Sequence, residues 1–523
     1  MHRTSPKRVV AGLTALAVAG ASLLVFAPPA SAAVTLITPE STPIVLAGGT
    51  GQVAGDLTIA NNADLDPGDT IILQLLPDGA ACTATNPIAF EPTPTVDFDE
   101  TSAGDLVASL TNTGGCAVMD RLVLTAEGGV VNDGPIGLSG IEYTVGAAAS
   151  TGPVEVRDVD TGINASNATV AKVDRIEGDT RYDTAARLAG VPETGPVAVE
   201  DCAETVVVVD GTNFPDALAA AYLDEPILLV TPTTLPDETE AALDALGTKS
   251  VTIIGGDRAV SAEVANAIAA LDEGDCGPDV GVGKIGVNRI SGETRYQTAR
   301  EVATEKPAGT FDAGVTGITC APVKTAILVN GQAPWDALAA GPLAANGAGP
   351  AGCGTGSIPL LLTPPNALDA AALEALNTLA IENVIILGGT GAVSQAAEDG
   401  LDAAASVANV VRISGATRQA TAVALAEVLL DVDFGEFNLG RFLVATGSNF
   451  ADALVGGPYG GAALAPILLT GTPTQNGSTT LGPDAAGLIE DTVAVLRATL
   501  LGGPVALSAA VQTAVGTAFL ARN

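Results

Sequence analysis

The chain has 523 residues, 59 of them acidic and 22 basic, with a formal net charge of −37. A surface this negative repels nucleic acid and anionic membranes, so neither is an expected partner. The single histidine is His2, at the extreme amino terminus.

Residues 1–32 read as a signal peptide. His2, Arg3, Lys7 and Arg8 form a basic start, Val9 to Phe26 is an apolar run, and Ala30-Ser31-Ala32 is a cleavage site. Losing this segment takes the net charge from −37 to about −40 and removes the histidine. A histidine general base, a Ser-His-Asp or Cys-His hydrolase and the usual zinc-hydrolase site are then excluded, and catalysis by carboxylates alone stays open. No later apolar run is long enough to span a bilayer, so the mature chain is expected to be exported and free of the membrane. Its six cysteines, an even number in an exported chain, read as disulfides local to each domain: Cys82–Cys116, Cys202–Cys276 and Cys320–Cys353.

Residues 33–150 alternate short β-rich runs with Asp, Gly, Pro and Asn turns, the signature of an all-β sandwich. Residues 151–170 are small and polar and read as a linker or an extra strand. From residue 171 the pattern becomes strand-helix alternation. Thr205 to Asp210, Pro226 to Val230 and Val251 to Ile254 are apolar runs, and Phe214 to Tyr222, Asp237 to Leu246 and Ser261 to Leu271 are helical. Continuous Val/Ile/Leu runs separated by helices predict parallel, Rossmann-like sheets covered on both faces.

The same phrase then occurs three times. Arg175 to Arg181, Arg289 to Arg295 and Arg412 to Arg418 all read R-I-x-G-x-T-R, with starts 114 and 123 residues apart. That period is too long for a solenoid unit and suits a small α/β module. The boundaries follow as 171–280, 281–406 and 407–523. Three further phrases recur in order. Gly211 to Asp216, Gly331 to Asp336 and Gly447 to Asp452 each end in an aspartate followed by Ala-Leu. A proline precedes Ile227-Leu228-Leu229, Leu360-Leu361-Leu362 and Ile467-Leu468-Leu469, which read as central strands. Gly255-Gly256, Gly388-Gly389 and Gly502-Gly503 end a strand, and Ser261, Ser394 and Ser508 cap the helix that follows.

Glycines at strand ends let backbone amides approach an anion, and arginine offers a planar fork to phosphate or carboxylate. Arg181, Arg295 and Arg418 are therefore candidate anion ligands, or else they pair with Asp216, Asp336 and Asp452 of their own repeats. Arg175, Arg289 and Arg412 are further candidates that lean towards a structural role at the strand ends. No G-x-G-x-x-G opens the first strand turn, and neither cofactor, metal nor catalytic residue is expected.

These phrases resemble the cell wall binding repeat type 2 family of secreted Gram-positive proteins, over residues 171 to 523. The resemblance implies three α/β modules in a pseudo-threefold arrangement, holding non-covalently to an anionic wall polymer, either teichoic-acid-like or an acidic polysaccharide. The chain ends without a hydrophobic tail and basic stop, so no covalent sorting is expected. The second repeat departs from the pattern with Leu360 for Ile and with Ala333-Pro334-Trp335 where the others have Asn213-Phe214-Pro215 and Asn449-Phe450-Ala451, and the third has Gln419 for Tyr. The leading expectation is a wall-anchored, S-layer-like surface protein displaying its β-domain. The alternatives are an exported wall-active hydrolase using carboxylates and a soluble small-molecule binding protein.

Overall fold

The computed structural model describes residues 34–61, 65–76, 88–91, 95–98, 105–112, 120–127, 135–190, 203–274, 283–311, 323–333, 335–346, 354–430, 440–471, 473–474 and 477–522. The expected signal peptide and all six cysteines, with their expected pairings, lie outside the described residues.

The amino-terminal part is built mainly of antiparallel strands on one core, with Ile44–Leu46 pairing in parallel with Asn164–Ile176. Val34–Pro39, Leu57–Asn61, Ile136–Ser139 and Thr95–Phe98 form one sheet, in that order, and Gln52–Val53, Glu142–Val145 and Ile88–Phe90 form another. Asn164–Ile176, Gly152–Asp158, Thr70–Leu76, Arg121–Glu127 and Asp105–Thr111 run in order across a third. Strand alternation drives the layering: Leu122, Leu124 and Ala126 point inward from Arg121–Glu127 while their neighbours are half-exposed. A buried polar link crosses the core. The Tyr143 hydroxyl donates to Asn167 Oδ1 at 2.7 Å, and Asn167 Nδ2 donates to the Gly55 carbonyl at 2.9 Å. Satisfying these groups avoids the cost of burying them unpaired.

Each repeat forms a four-stranded parallel sheet. In the first the order is Ile227–Val230, Thr205–Asp210, Ser250–Ile254, Gly286–Ile290. In the second it is Leu360–Thr363, Thr325–Asn330, Asn383–Leu387, Asn409–Ile413. In both, the fourth strand carries the arginine phrase of the following repeat. The third sheet, Ile467–Leu469, Phe442–Ala445, Arg497–Leu501, is completed by residues 172–176 of the first repeat. Strand exchange therefore runs in a closed cycle.

The completing strand of the third sheet is the far half of Asn164–Ile176, whose near half pairs with Gly152–Asp158 of the amino-terminal part. One hydrogen-bonded sheet thus continues from the amino-terminal strands into the third repeat. Asp174 fixes the join: its carboxylate accepts from Arg497 Nε at 2.8 Å and from the Thr499 hydroxyl at 2.6 Å.

The Ile/Leu triplets are edge strands of their sheets, not the expected central ones. They are nonetheless buried on both faces. Leu228, Leu361 and Leu468 face the separate core of their own module. Ile227 and Leu229, Leu360 and Leu362, and Ile467 and Leu469 face a core shared by all three repeats. Period-two alternation thus divides each triplet between a private core and a common one. Continuous hydrophobicity signals burial on both faces and does not distinguish an edge strand covered by a neighbouring module from a central one.

The segments after the Asp-Ala-Leu phrases converge on that common core: Ala217–Leu223 (3-10), Ala337–Ala340 (3-10) running into Gly341–Ala345, and Ala451–Ala462. Small residues permit the approach. A Cβ at Gly341 would lie 2.7 Å from the Gly457 Cα, and one at Gly457 would lie 3.1 Å from the Ala221 Cβ. Helix propensity alone makes Gly341→Ala stabilising by about 0.5 to 1 kcal/mol. Overpacking at a backbone contact reverses the sign, and a loss of roughly 1 to 3 kcal/mol is expected in thermal or denaturant unfolding. A rise in stability would show that the segments can separate without cost.

Candidate functional site

The arginine phrase is a strand-to-helix turn, and each position has a physical task. The isoleucine is the last residue of the strand. The glycine lies under the first turn of the following helix, and Cβ atoms at Gly178, Gly292 and Gly415 would strike Asp183, Gln297 and Ala420. Each glycine amide donates at 3.1 Å to the threonine hydroxyl six residues on, Thr184, Thr298 or Thr421. The threonine before the second arginine caps the helix. Thr180, Thr294 and Thr417 accept from the amides of Asp183, Gln297 and Ala420.

The first arginine of each phrase holds the Gly-Gly turn of the preceding repeat in the cycle. Arg175, Arg289 and Arg412 donate through Nη1 to the carbonyls of Gly502, Gly255 and Gly388 at 2.6, 2.7 and 2.7 Å. Carboxylates complete the sites: Glu177 at 3.6 Å from Arg175, Asp257 at 3.6 Å from Arg289, Glu398 at 2.6 Å from Arg412. Burial lowers the pKa of Arg175, against the pull of Glu177. These three arginines are bound into the frame. The glycines whose carbonyls they hold have positive φ, +110°, +108° and +99° at Gly255, Gly388 and Gly502, where a Cβ is disfavoured. A Cβ at Gly255 or Gly388 would also come within 3.1 or 2.8 Å of the Asp216 or Asp336 carboxylate, and one at Gly502 would collide with Asp452. Gly256, Gly389 and Gly503 follow directly in each turn. Ser261 and Ser394 cap their helices as expected, accepting from Val264 and Ala397 amides, whereas Ser508 makes no such bond.

The second arginine sits at the first position of its helix and reaches across its own module. Arg181, Arg295 and Arg418 donate through Nη1 to the carbonyls of Gly211, Gly331 and Gly447 at 2.5, 2.7 and 2.7 Å. Two of them have a charged partner from a different repeat, which corrects the expected pairing within a repeat for Arg181 and Arg418. Arg418 acts on Asp336 of the second repeat, and Arg181 acts on Asp452 of the third. Arg418 lies 4.1 Å from the ring centroid of Trp335, and Arg295 lies 6.0 Å from that of Phe214. Among the described residues neither Arg418–Asp336 nor Arg181–Asp452 closes within 4 Å, so these two carboxylates face their arginines across a gap.

Asp216 and Asp336 precede their 3-10 turns and Asp452 lies in the first turn of its helix, and Asp216 and Asp336 make no side-chain cap bond. Burial raises the pKa of Asp336, opposed by a hydrogen bond from Thr421 and the charge of Arg418. Arg418 is lowered by its own burial, against Asp336. Asp452 is 8 % exposed, and burial pushes its pKa up to about 6 against the pull of Arg181. Arginines thus stand at the seams between repeats, with a carboxylate of the neighbouring repeat beside Arg181 and Arg418 and an aromatic face of the neighbouring repeat beside Arg295 and Arg418.

A cleft of about 530 Å³ lies between the third and first repeats. Gly178 to Arg181 line one side, and Thr446, Ser448, Asn449 and Asp452 the other, with Gly503, Pro504 and Val505 at its lip. Arg181, Asp452 and Gly503, singled out in the sequence, line this cleft, and so do Ser448 and Val505, which were not singled out. The available signal was divergence: both positions differ among the three repeats.

The fold is thus one of three parallel-sheet repeats that exchange strands and present arginines between them. The cell wall binding domain 2 family matches residues 175–265, 289–398 and 412–512, and the chain belongs to that family. It is 26 % identical over 302 residues to the N-acetylmuramoyl-L-alanine amidase LytC of Bacillus subtilis (strain 168), 57 % of this chain and 50 % of the relative. It is 29 % identical over 292 residues to the amidase enhancer of the same organism, 55 % of this chain and 33 % of the relative. The chain thus spans half or less of the curated relatives it matches. Cwp6 from Clostridium difficile has a related fold, with a TM-score of 0.52 at 18 % identity, covering 92 % of this chain and 67 % of that one. No helix among the described residues is long and apolar enough to cross a membrane.

Proposed function

We propose that this protein is exported and held non-covalently at the cell surface by an anionic wall polymer, which its three repeats grip in their inter-repeat clefts while the β-domain is displayed. The carrying observation is the repeated placement of Arg181, Arg295 and Arg418 at a helix start, across a gap from another repeat. Closed strand exchange and a common core support a pseudo-threefold ring of clefts. A teichoic-acid-like polymer or an acidic polysaccharide offers phosphate or carboxylate groups at intervals, and the guanidinium fork suits either. Local arginines in recessed clefts allow a strongly acidic chain to approach a polyanion, with salt screening the remaining repulsion. Linked modest sites gain from effective concentration.

The test is sedimentation with purified wall sacculi before and after the anionic polymers are stripped. Binding is expected to intact sacculi and to be lost from stripped ones. Equal binding to both would replace the polymer with peptidoglycan itself, and binding to neither would favour a soluble small-molecule binding protein.

A further inference from the structure

Arg121 and Arg157 are the only basic residues between positions 33 and 170, against 18 acidic ones. The fold sets these two cations in one row. In the third sheet of the amino-terminal part Arg157 pairs in register with Gln74, Gln74 with Arg121 and Arg121 with Thr111, while Asn164 opposes Arg157 from the other side. Residues directly opposite one another in antiparallel strands share a face. Here it is the outer face, because the alternating residues Leu73, Leu75, Leu122 and Val156 fill the core. Two strand spacings separate the arginines, about 10 Å at the backbone, with Gln74 between them.

The pair lacks the partners that arginines take elsewhere in the chain. Arg187, Arg300, Arg412 and Arg497 all close on carboxylates. Arg157 makes no hydrogen bond or ion pair among the described residues. Arg121 makes one long bond, donating from Nη2 to Gln74 Oε1 at 3.4 Å, and Gln74 Nε2 donates in turn to the buried Asp120 at 3.4 Å. Both arginines are half-buried with Nε covered, so their stems lie along the sheet. The terminal Nη groups of Arg157 are neither covered nor bonded, and these are what an incoming ligand meets. Glu155 stands two residues away on the same strand and face, and it accepts from Asn164 Nδ2 at 3.3 Å.

We propose that this row is an oxyanion site of the phosphate class, in which Arg121 and Arg157 close on one group from two sides above Gln74. Each fork offers paired N–H donors that fit phosphate oxygens. The anion also relieves the repulsion between two cations held on one face with no carboxylate between them. The site belongs to the β-domain and is independent of the arginines at the seams between repeats.

The test is titration calorimetry of the full chain with pyrophosphate, in a background where Arg181, Arg295 and Arg418 are alanine so that the seams contribute nothing. One equivalent is expected to bind. Combined Arg121→Gln and Arg157→Gln should weaken it at least tenfold, since two charge-assisted contacts are lost. Glu155→Gln is the variant whose effect misfolding cannot imitate: removing a like charge about 7 Å along the strand should tighten binding roughly two- to threefold. A glycerol phosphate oligomer identifies the source of the phosphate. Tighter binding of the oligomer than of pyrophosphate, with weaker sacculus retention when the double glutamine change is made in the otherwise unaltered chain, supports the site and assigns its ligand to a wall polymer. Preference for pyrophosphate with unchanged retention supports the site and assigns it to a free anion. Absence of pyrophosphate binding, binding unmoved by the double glutamine change, or no gain from Glu155→Gln would overturn the proposal. So would a double variant that loses only self-association in sedimentation velocity, which would make the row an interface between copies.

Discussion

Simultaneous alanine replacement of Arg181, Arg295 and Arg418 is expected to abolish retention on wall sacculi, while each single replacement weakens it only several-fold. Each guanidinium spends Nη1 on a glycine carbonyl, at 2.5, 2.7 and 2.7 Å. An arginine has five N–H donors, so capacity for a ligand anion is left. Singles are buffered because the other two clefts keep the polymer at high effective concentration. Raising salt should weaken the wild type, since the contact is a charge pair open to solvent. The stability readout separates this role from a structural one. Losing one hydrogen bond to a carbonyl costs about 1 kcal/mol. Uncovering a buried carboxylate whose only compensation was that arginine costs about 3 to 5 kcal/mol. The gap between arginine and aspartate favours the smaller loss. Full retention by a well-folded triple variant would eliminate the ligand role, and a large melting loss in every single variant would reassign the arginines to the frame.

Asp452→Asn is expected to raise stability at pH 7 by up to about 3 kcal/mol and to leave it unchanged near pH 3.5. Burial lifts this carboxyl from its ordinary 3.8 to about 6, and Arg181 only partly offsets it. Because the folded state holds the proton more tightly than the unfolded chain, the contribution is fully present below about pH 3.8. It is lost as pH rises through about 6. Asparagine has no proton to lose, so the difference between variant and wild type should grow across that window and then level off. Melting curves of both proteins at pH 3.5, 5 and 7 provide the check. A difference that does not vary with pH would mean that the carboxylate is solvated or neutralised by Arg181 more completely than its burial indicates.

Local signals carried much of this architecture. The β-strands Thr205–Asp210, Ser250–Ile254 and Ile227–Val230 follow apolar runs read almost to the residue, and the serines and threonines that cap helices follow from hydrogen bonding within four residues. The recurrence of the arginine phrase declared three modules, because one turn geometry with a close glycine, a capping threonine and two placed arginines needs those residue types in that order. The 3-10 form of Ala217–Leu223 was not legible, since an alanine-rich segment has no local reason to tighten. Its conformation is set where it meets Gly457 and its counterpart from the second repeat.

By itself, then, the sequence determined the element types, the threefold repetition and the residues at the strand ends, all of which depend on neighbours in the chain. Only the tertiary structure decided which repeat each residue serves. Arg175 on the first repeat holds Gly502 of the third, and Asp336 of the second faces Arg418 of the third. It also decided that the Pro-Ile-Leu-Leu strands lie at sheet edges with both faces covered. The physical reason is shared: every repeat carries the same phrases, so the local pattern is identical whether a partner lies in the same module or the next. Only closure of the strands around a common core breaks that degeneracy.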